Sequence, residues 1–530
     1  MTHALTNSPA DVTALLRQIE LPLFVVRDGD RLSLTSTRPG DLEALVGIVP
    51  AIHPGDLGSA DFRRCFGVEL NCVSGAMAGA IASTALVTAT SQAGGMGFFG
   101  AGGLSLTAIE DALQTLRDGL GERAFGCNLL HAPLDPGHEL AVVDLCLRLN
   151  VRAIEAAAFL KVTPAVVLFR ARGLRALPDG QIAAARHVFA KVSRPEVAAQ
   201  FLRPAPASML RELVAAQKIT EQEAQLAARL PVATSITAEA DSGGHTDQRP
   251  LTVLVPLVLA ARQSAREKHG WRASEVPIFV GAAGGLGDPQ AFVAAFALGA
   301  DYLVTGSLNQ SCVEAGTSPL VKSLLCKAGM ADVAMAPSAD LFEVGGRVQV
   351  LRRGTLFAQR AQRLLDVWKG VDAFEDLPEA ERGRIETEIL QKPFADLWYE
   401  TRLYWQKRNP ALAQKAESDG KTRMALTFRA YLGQSSRWAR EGLEERKNDF
   451  QIWCGPAMGA FNEWAQGSFL APVESRVFGL VLTALARSSA ALTRREVLKA
   501  LGAHGLPTPR DVGRPAERDE IERALAARRL

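Results

Sequence analysis

The sequence predicts an α/β fold: a (β/α)8 TIM barrel with a helical insert and a second, mostly helical C-terminal domain. Three observations predict it. From residue 68 to 310, short apolar strands alternate with helices that carry their own start and stop signals. Eight strand candidates occur in that stretch, as a closed parallel barrel requires. Beyond residue 311 the strand signal fades and amphipathic helical stretches take over. Alternation by itself fits an open, doubly wound sheet almost as well. A strand rather than a helix after Thr163-Pro164 would bring the count to nine.

The elements follow in order. Residues 1–67 read as a small N-terminal unit, with a hairpin turning at Asp28-Gly29-Asp30. The barrel, 68–310, has strand candidates at Leu70–Met77, Gly97–Gly100, Phe125–Leu129, Ala153–Ala157, Val188–Val192, Ser235–Ala240, Ile278–Ala282 and Tyr302–Thr305. Thr107-x-x-Glu110 and Thr220-x-x-Glu223 have the spacing of capping boxes. Asp288-Pro289 caps a helix that Gly299 ends. One connection is too long: residues 195–231 carry two or three helical patterns and read as an inserted helical lid or subdomain on the functional face. A helical domain spans 311–490, with stretches at Thr355–Trp368, Glu379–Gln391, Phe394–Lys407, Lys421–Leu432 and Val473–Ala486. The tail, 491–530, is charged and broken by glycine and proline, which suggests a partly ordered end.

Composition narrows the function classes. Hydrophobic residues are 48% and charged residues 22%, the balance of a globular protein. A net charge of +2 gives no global field for nucleic acid or a membrane surface. The seven cysteines form no CxxC, so neither a disulfide framework nor a zinc site is expected. Glycine is abundant, at 46 residues, and a charge-free run extends from Leu70 to Ile109. That run is no membrane span. A span needs about 20 predominantly apolar residues, and Ser74, Thr84, Ser91, Gln92 and six glycines between Gly94 and Gly103 interrupt this one. The N-terminus lacks the basic-then-apolar order of a secretory signal, so the cytoplasm is the expected compartment.

Four segments carry chemistry. In IFVGAAGGLGDPQAFVAAFALGADYLVTGS, Gly284-Gly285 and Gly306-Ser307 end consecutive strands, where backbone N–H groups can close around a phosphate. Tight turns alone would also explain those glycines. ITAEADSGGHTD ends a strand in Glu239, Asp241, Gly243, Gly244 and His245. The glycines let backbone approach a ligand, and a histidine there can carry a proton near neutral pH; a histidine capping the loop would look the same. Asn128 ends another strand, its amide able to donate and accept toward a heteroaromatic ring. His131 and His138 read as surface loop residues. Lys191 ends the HVFAKV strand, either solvated at the rim or facing an anion. Ala76, Met77 and Ala78 lie between Gly75 and Gly79 after the first strand; with Gly94–Gly103 they form a floor for a planar ring or a close helix–strand contact.

At these residues a family resemblance becomes specific. GAMAGAIAS, AGGMGFFGAGGL, ADSGGHTD, AAGGLGD and GSLNQ, in this order, resemble the FMN-dependent barrels of the nitronate monooxygenase type. IEAAAFLKVTPAVV, AKVSRPEVA, DVAMAPSADLFE, QVLRRGTLF, MALTFRAYLGQSSRWA and QIWCGPAMGAFNEW resemble the PfaD branch, the trans-acting enoyl reductases of polyunsaturated fatty acid and polyketide synthases. The likeness runs from about residue 15 to about 485. It implies an FMN-binding barrel in which Ala76, Met77, Ala78, Asn128, Lys191 and Asp241 line the flavin. Gly243 and Gly244 approach it, while Gly284, Gly285, Gly306 and Ser307 hold its phosphate. His245 falls on the active-site histidine of the GGH motif. Asp241 replaces the usual glutamate of the broader group, and Ser307 the usual threonine.

The implied reaction is reduction of the 2,3-double bond of an enoyl thioester on an acyl carrier protein, with NADPH or NADH as donor through FMN. His245 is the candidate donor to the developing enolate. The insert and the C-terminal domain could form an acyl tunnel. Arg347, Arg352, Arg353, Arg360 and Arg363 are candidate contacts for an acidic carrier, each equally readable as a solvated face. No nucleic acid, membrane or metal is implied, and a homodimer is compatible with the resemblance. Three rivals share these residues: a nitronate monooxygenase-like oxidase, a phosphate-binding barrel enzyme without flavin, and a non-catalytic synthase scaffold.

Overall fold

The computed structural model describes residues 5–528 apart from 42, 134 and 504. Eight parallel strands close into a barrel in chain order: β1 (Cys72–Ser74), β2 (Met96–Phe99), β3 (Phe125–Leu130), β4 (Ala153–Ala157), β5 (His187–Val192), β6 (Ser235–Glu239), β7 (Phe279–Ala283) and β8 (Tyr302–Thr305). β8 returns to β1 through the pair Leu303↔Cys72. Closure excludes the doubly wound alternative. All eight strands lie on the predicted segments, and Thr163-Pro164 opens a helix, Pro164–Ala171, rather than a ninth strand. These strands are covered on both faces, which is why they read as apolar runs without alternation.

Local signals account for most helix ends. Thr220 and Glu223 form the expected reciprocal cap, and Asp288 accepts the Ala291 N–H at 2.9 Å. The box at Thr107 does not form. The helix starts earlier, at Leu106, because Ser105 caps it by accepting the Ala108 N–H at 3.2 Å.

The barrel interior is packed with Val73, Met96, Phe98, Phe189, Phe279 and Tyr302. Phe62, from helix Ala60–Phe66, plugs the end where the strands begin, its ring stacked on Tyr302 at 4.5 Å. Residues 60–66 therefore serve as the barrel's floor, not as part of a separate N-terminal unit. The preceding three-stranded antiparallel sheet packs Val25 and Leu34 against Ala490, Leu498, Leu506 and Val512. The C-terminal residues fold as well: helix Arg518–Ala526 buries Ile521 and Leu525.

Helix Phe478–Ala500 lies against helices Thr84–Gln92 and Pro289–Ala297, which follow β1 and β7. It thus occupies the place of the barrel's eighth outer helix. The mostly helical region between β8 and residue 477 is an excursion within the barrel, not an appendage after it. Its core gathers Phe342, Val350, Phe357, Phe374, Phe394 and Phe428. It also contains two strands absent from the sequence reading, β9 (Val333–Pro337) and β10 (Arg347–Leu351). They form a three-stranded antiparallel sheet whose third member is Gly244–His245, from the loop after β6.

The 195–231 insert is not a lid. Helix Pro195–Phe201 packs on β5 as an ordinary outer helix, and Ala207–Ala215 and Glu221–Ala227 pack on helix Pro164–Ala171. Arg172 and Gly173, at that helix's far end, bond to Lys218 and Glu223. This sets the insert on the barrel's flank, away from the strand C-termini. Among the described residues, no helix is long and apolar enough to cross a membrane.

Candidate active site

The C-terminal ends of the strands collect the polar groups. After β1, residues 75–82 fold back onto the loop after β2. The Gly79 and Ala80 N–H groups each donate, at 2.8 Å, to the carbonyls of Gly102 and Gly100. A Cβ at Gly100 would lie 1.8 Å from the Met77 carbonyl oxygen, so only glycine permits this approach. Ala76–Ala78 are thereby presented at the mouth, half-buried. Asn128, in the C-terminal half of β3, donates to the Glu155 carbonyl at 3.2 Å.

A charge cluster lies beneath that loop. Glu155, in the middle of β4, is fully buried, and its Oε2 accepts the Ala76 N–H at 3.0 Å. Lys191 Nζ, on β5, lies 3.3 Å from Glu239 Oε1, at the end of β6. Burial would lower the Lys191 ammonium, but the carboxylates of Glu239 and Glu155 outweigh it and hold the group above its ordinary range. Burial raises the Glu155 carboxyl, and the nearby Lys191 charge opposes that shift. The result is a retained cation facing the mouth with acid on two sides.

The glycine loops after β6, β7 and β8 divide into two kinds. Gly243 and Gly284 serve packing: a Cβ at Gly243 would fall 2.9 Å from the Cys454 nitrogen, and one at Gly284 would fall 2.7 Å from the Asp241 carbonyl. Gly244, Gly285 and Gly306 face open space, with nothing within 4 Å of such a Cβ. Ser307 Oγ accepts the Gly455 N–H at 2.9 Å, which leaves its own proton to donate. The segment 453–456 is therefore seated on these loops, and Gln310 Nε2 donates to the Trp453 carbonyl at 2.7 Å.

His245 is held from two directions. Its backbone pairs with Val348 of β10. Its Nε2 lies 3.0 Å from Asp340 Oδ1 and 3.1 Å from Ser338 Oγ, both beyond β9. Burial would lower the imidazole, but the bond and charge of Asp340 more than offset this and raise it above the ordinary histidine value. Desolvation would raise the Asp340 carboxyl, but the bond and charge of His245 bring it down to about 2. Asp241 turns away from this pair: its Oδ1 accepts from Gln349 Nε2 at 2.6 Å.

Residues 68–340 match the nitronate monooxygenase family. The chain belongs to that family. Residues 371–450 of this member match the inserted helical domain of [acyl-carrier-protein] S-malonyltransferase. The enoyl reductase domain of MlnA, from the macrolactin cluster of Bacillus amyloliquefaciens, is 35% identical. It superposes with a TM-score of 0.79 over 84% of this chain and 99% of that domain. A polyunsaturated fatty acid synthase protein of Thraustochytrium sp. is 41% identical over 88% of this chain. PksE of Bacillus subtilis is 42% identical over 78% of this chain. Those two relatives bear the names of a polyunsaturated fatty acid synthase subunit and a polyketide biosynthesis protein. The chain spans 31% and 53% of those two relatives' own lengths.

In this family member the mouth brings together Ala76, Met77, Ala78, Asn128, Lys191, Gly244, His245, Gly285, Gly306 and Ser307. Gly243, Gly284 and Asp241 stand one layer back, engaged with protein. Sequence reasoning missed Glu155, Ser338, Asp340 and Gln349. Glu155 left a signal, a lone acid within the apolar strand AIEAA. VAMAP and RVQVL were equally readable as strands, but no local pattern tied them to His245. His131 is no loose surface residue: its Nδ1 lies 2.7 Å from the buried Glu139. Among the five arginines, Arg360 pairs with the fully buried Asp449, Arg353 with Asp332 and Arg363 with Glu381, while Arg347 donates to the Met335 carbonyl. Four of the five are thus engaged within the chain.

Proposed function

We propose that this protein is an FMN-dependent enoyl reductase of the cytoplasm, acting in trans on enoyl thioesters carried by an acyl carrier protein. NADPH or NADH would be the donor, and a polyketide or polyunsaturated fatty acid synthase would be served. The observation that carries the reading is the likeness to a solved enoyl reductase domain over 99% of its length, at a TM-score of 0.79. The match of residues 371–450 to a domain of a carrier-dependent transferase supports a carrier-protein partner.

The residues present fit an FMN group. Gly285 and Gly306 offer backbone facing open space, Ser307 keeps a proton to donate, and Lys191 keeps a positive charge at the mouth. Gly285, Gly306 and Ser307 would hold the phosphate, with Gly284 packing the loop behind them, while Ala76–Ala78, Asn128 and Lys191 would hold the ring. Bound FMN would supply hydride chemistry that no side chain can. The chain's own contribution is orientation, charge and a proton. Lys191 places a fixed cation beside the ring site. His245, its proton favoured by Asp340, can donate a hydrogen bond to a thioester oxygen as negative charge develops on it. Its proton can then pass toward the α-carbon.

The test is anaerobic. Purified protein should be yellow, bleach on NADPH, and recover its colour when a crotonyl-type thioester is added. Colourless, folded protein that takes up no FMN would overturn the reading, as would a bleached protein that only oxygen restores.

A further inference from the structure

Resting on the role proposed for His245, we propose that Asp340 is a positioning residue. It fixes the tautomer, orientation and charge of His245 from a part of the chain outside the barrel.

The two residues come from different parts of the fold. His245 sits on the loop after β6, and Asp340 on the turn between β9 and β10, inside the excursion that follows β8. Gly244 and His245 pair with Gln349 and Val348, so the histidine backbone is already in register with β10 before any side chain acts. The turn that carries Asp340 is anchored by Phe342, which is fully buried, and by Ser338, also fully buried, whose hydroxyl donates to Asp340 Oδ1. Asp340 keeps 42% of its side chain exposed. A carboxylate held in place by a neighbouring hydroxyl, yet not starved of water, stays charged.

Both contacts of the ring fall on Nε2. Among the described residues, Nδ1 takes no hydrogen bond. A carboxylate at Nε2 demands an N–H there, which settles the neutral tautomer and leaves Nδ1 as the lone-pair atom. When the ring is protonated, the added proton must reside on Nδ1. The geometry therefore makes one nitrogen the anchor and the other the working atom. Three charged groups bear on the ring: Asp340 and Glu239 favour the imidazolium, and Lys191 opposes it.

The test uses the full chain with 15N-labelled histidine. The His245 signals are assigned by their loss in His245→Gln. In the unsubstituted protein the neutral ring should show the Nε2–H tautomer. In Asp340→Asn, which keeps the shape and removes the charge, its titration should move to lower pH. Asp340→Glu, which restores the carboxylate, should bring the titration back. In turnover, the alkaline limb of the kcat profile should move down in pH in Asp340→Asn. Activity at pH 8 should then fall roughly 10-fold with KM nearly unchanged. A His245 titration that stays put in Asp340→Asn overturns the positioning role whatever the turnover does. Full turnover in His245→Gln would instead overturn the reaction role of His245, and with it Asp340's claim to position a reacting group.

Discussion

Glu155 on β4 accepts the Ala76 N–H across 3.0 Å, tying the loop after β1 to a strand three positions away in the barrel. The carboxyl is buried, and the bond it makes holds the loop that presents Ala76–Ala78. Glu155→Gln keeps an acceptor and should fold with a small loss. Glu155→Ala leaves a buried N–H without a partner and should cost about 1–3 kcal/mol. Urea denaturation reads the stability, and fluorescence titration with FMN reads the loop. FMN affinity should fall in Glu155→Ala more than in Glu155→Gln.

Lys191 balances two acids. Lys191→Met would leave Glu239 and Glu155 without their cation, at a cost of about 3 kcal/mol near pH 7. The deficit should shrink as pH falls toward 5, because Glu155, which burial already raises, then takes up a proton and loses its uncompensated charge. Denaturation curves at pH 5 and pH 7 check this, and an equal deficit at both would refute it.

The His245–Asp340 pair makes stability depend on pH from both sides. His245 is raised, so its contribution is complete below the unfolded value near 6.5 and is lost as pH climbs through the folded value. Asp340 is depressed to about 2, so its contribution is present above 3.8 and is lost as pH falls toward about 2. The difference in stability between the unsubstituted protein and Asp340→Asn should be greatest between those limits and smaller at pH 9. Both side chains remain partly open to water, so the effect will be modest and weaker in high salt.

Glycines of the two kinds should respond differently. A Cβ at Gly287 would fall 2.2 Å from the Ala457 carbonyl, so Gly287→Ala should lower stability by about 1–3 kcal/mol as helix Ala457–Ala465 is pushed off the loops. Gly306 has no neighbour within 4 Å and an ordinary φ. Gly306→Ala should melt like the unsubstituted protein yet bind FMN at least tenfold more weakly. Normal FMN binding in that variant would remove Gly306 from the phosphate site.

The barrel was legible because each strand is short, apolar on both faces and bounded by glycine or a capped helix, as at Tyr302–Thr305. The loops of the site were legible for a related reason: glycines cluster where backbone must come close. Asp340 was not, because its partner lies 95 positions earlier in the chain and long-range pairing leaves no periodic trace. Only the first part of helix Phe478–Ala500 was visible, within the stretch Val473–Ala486, and its last turns were read as part of the tail. Its place in the barrel was not visible, since amphipathicity reveals that a face is buried but not what buries it. The insert at 195–231 was misassigned for the same reason: its helices were correct, and the side of the barrel they cover could not be read from them.

That the eighth outer helix follows a long excursion has a consequence for biosynthesis. A ribosome making this chain releases all eight strands by residue 305, yet the helix that seals β8 to β1 begins only at Phe478. The helical region between them is complete first and must find its own core while the barrel waits open. A chain stopped before residue 478 would therefore carry every group of the mouth and still expose a stripe of apolar strand, an invitation to aggregate rather than a smaller enzyme.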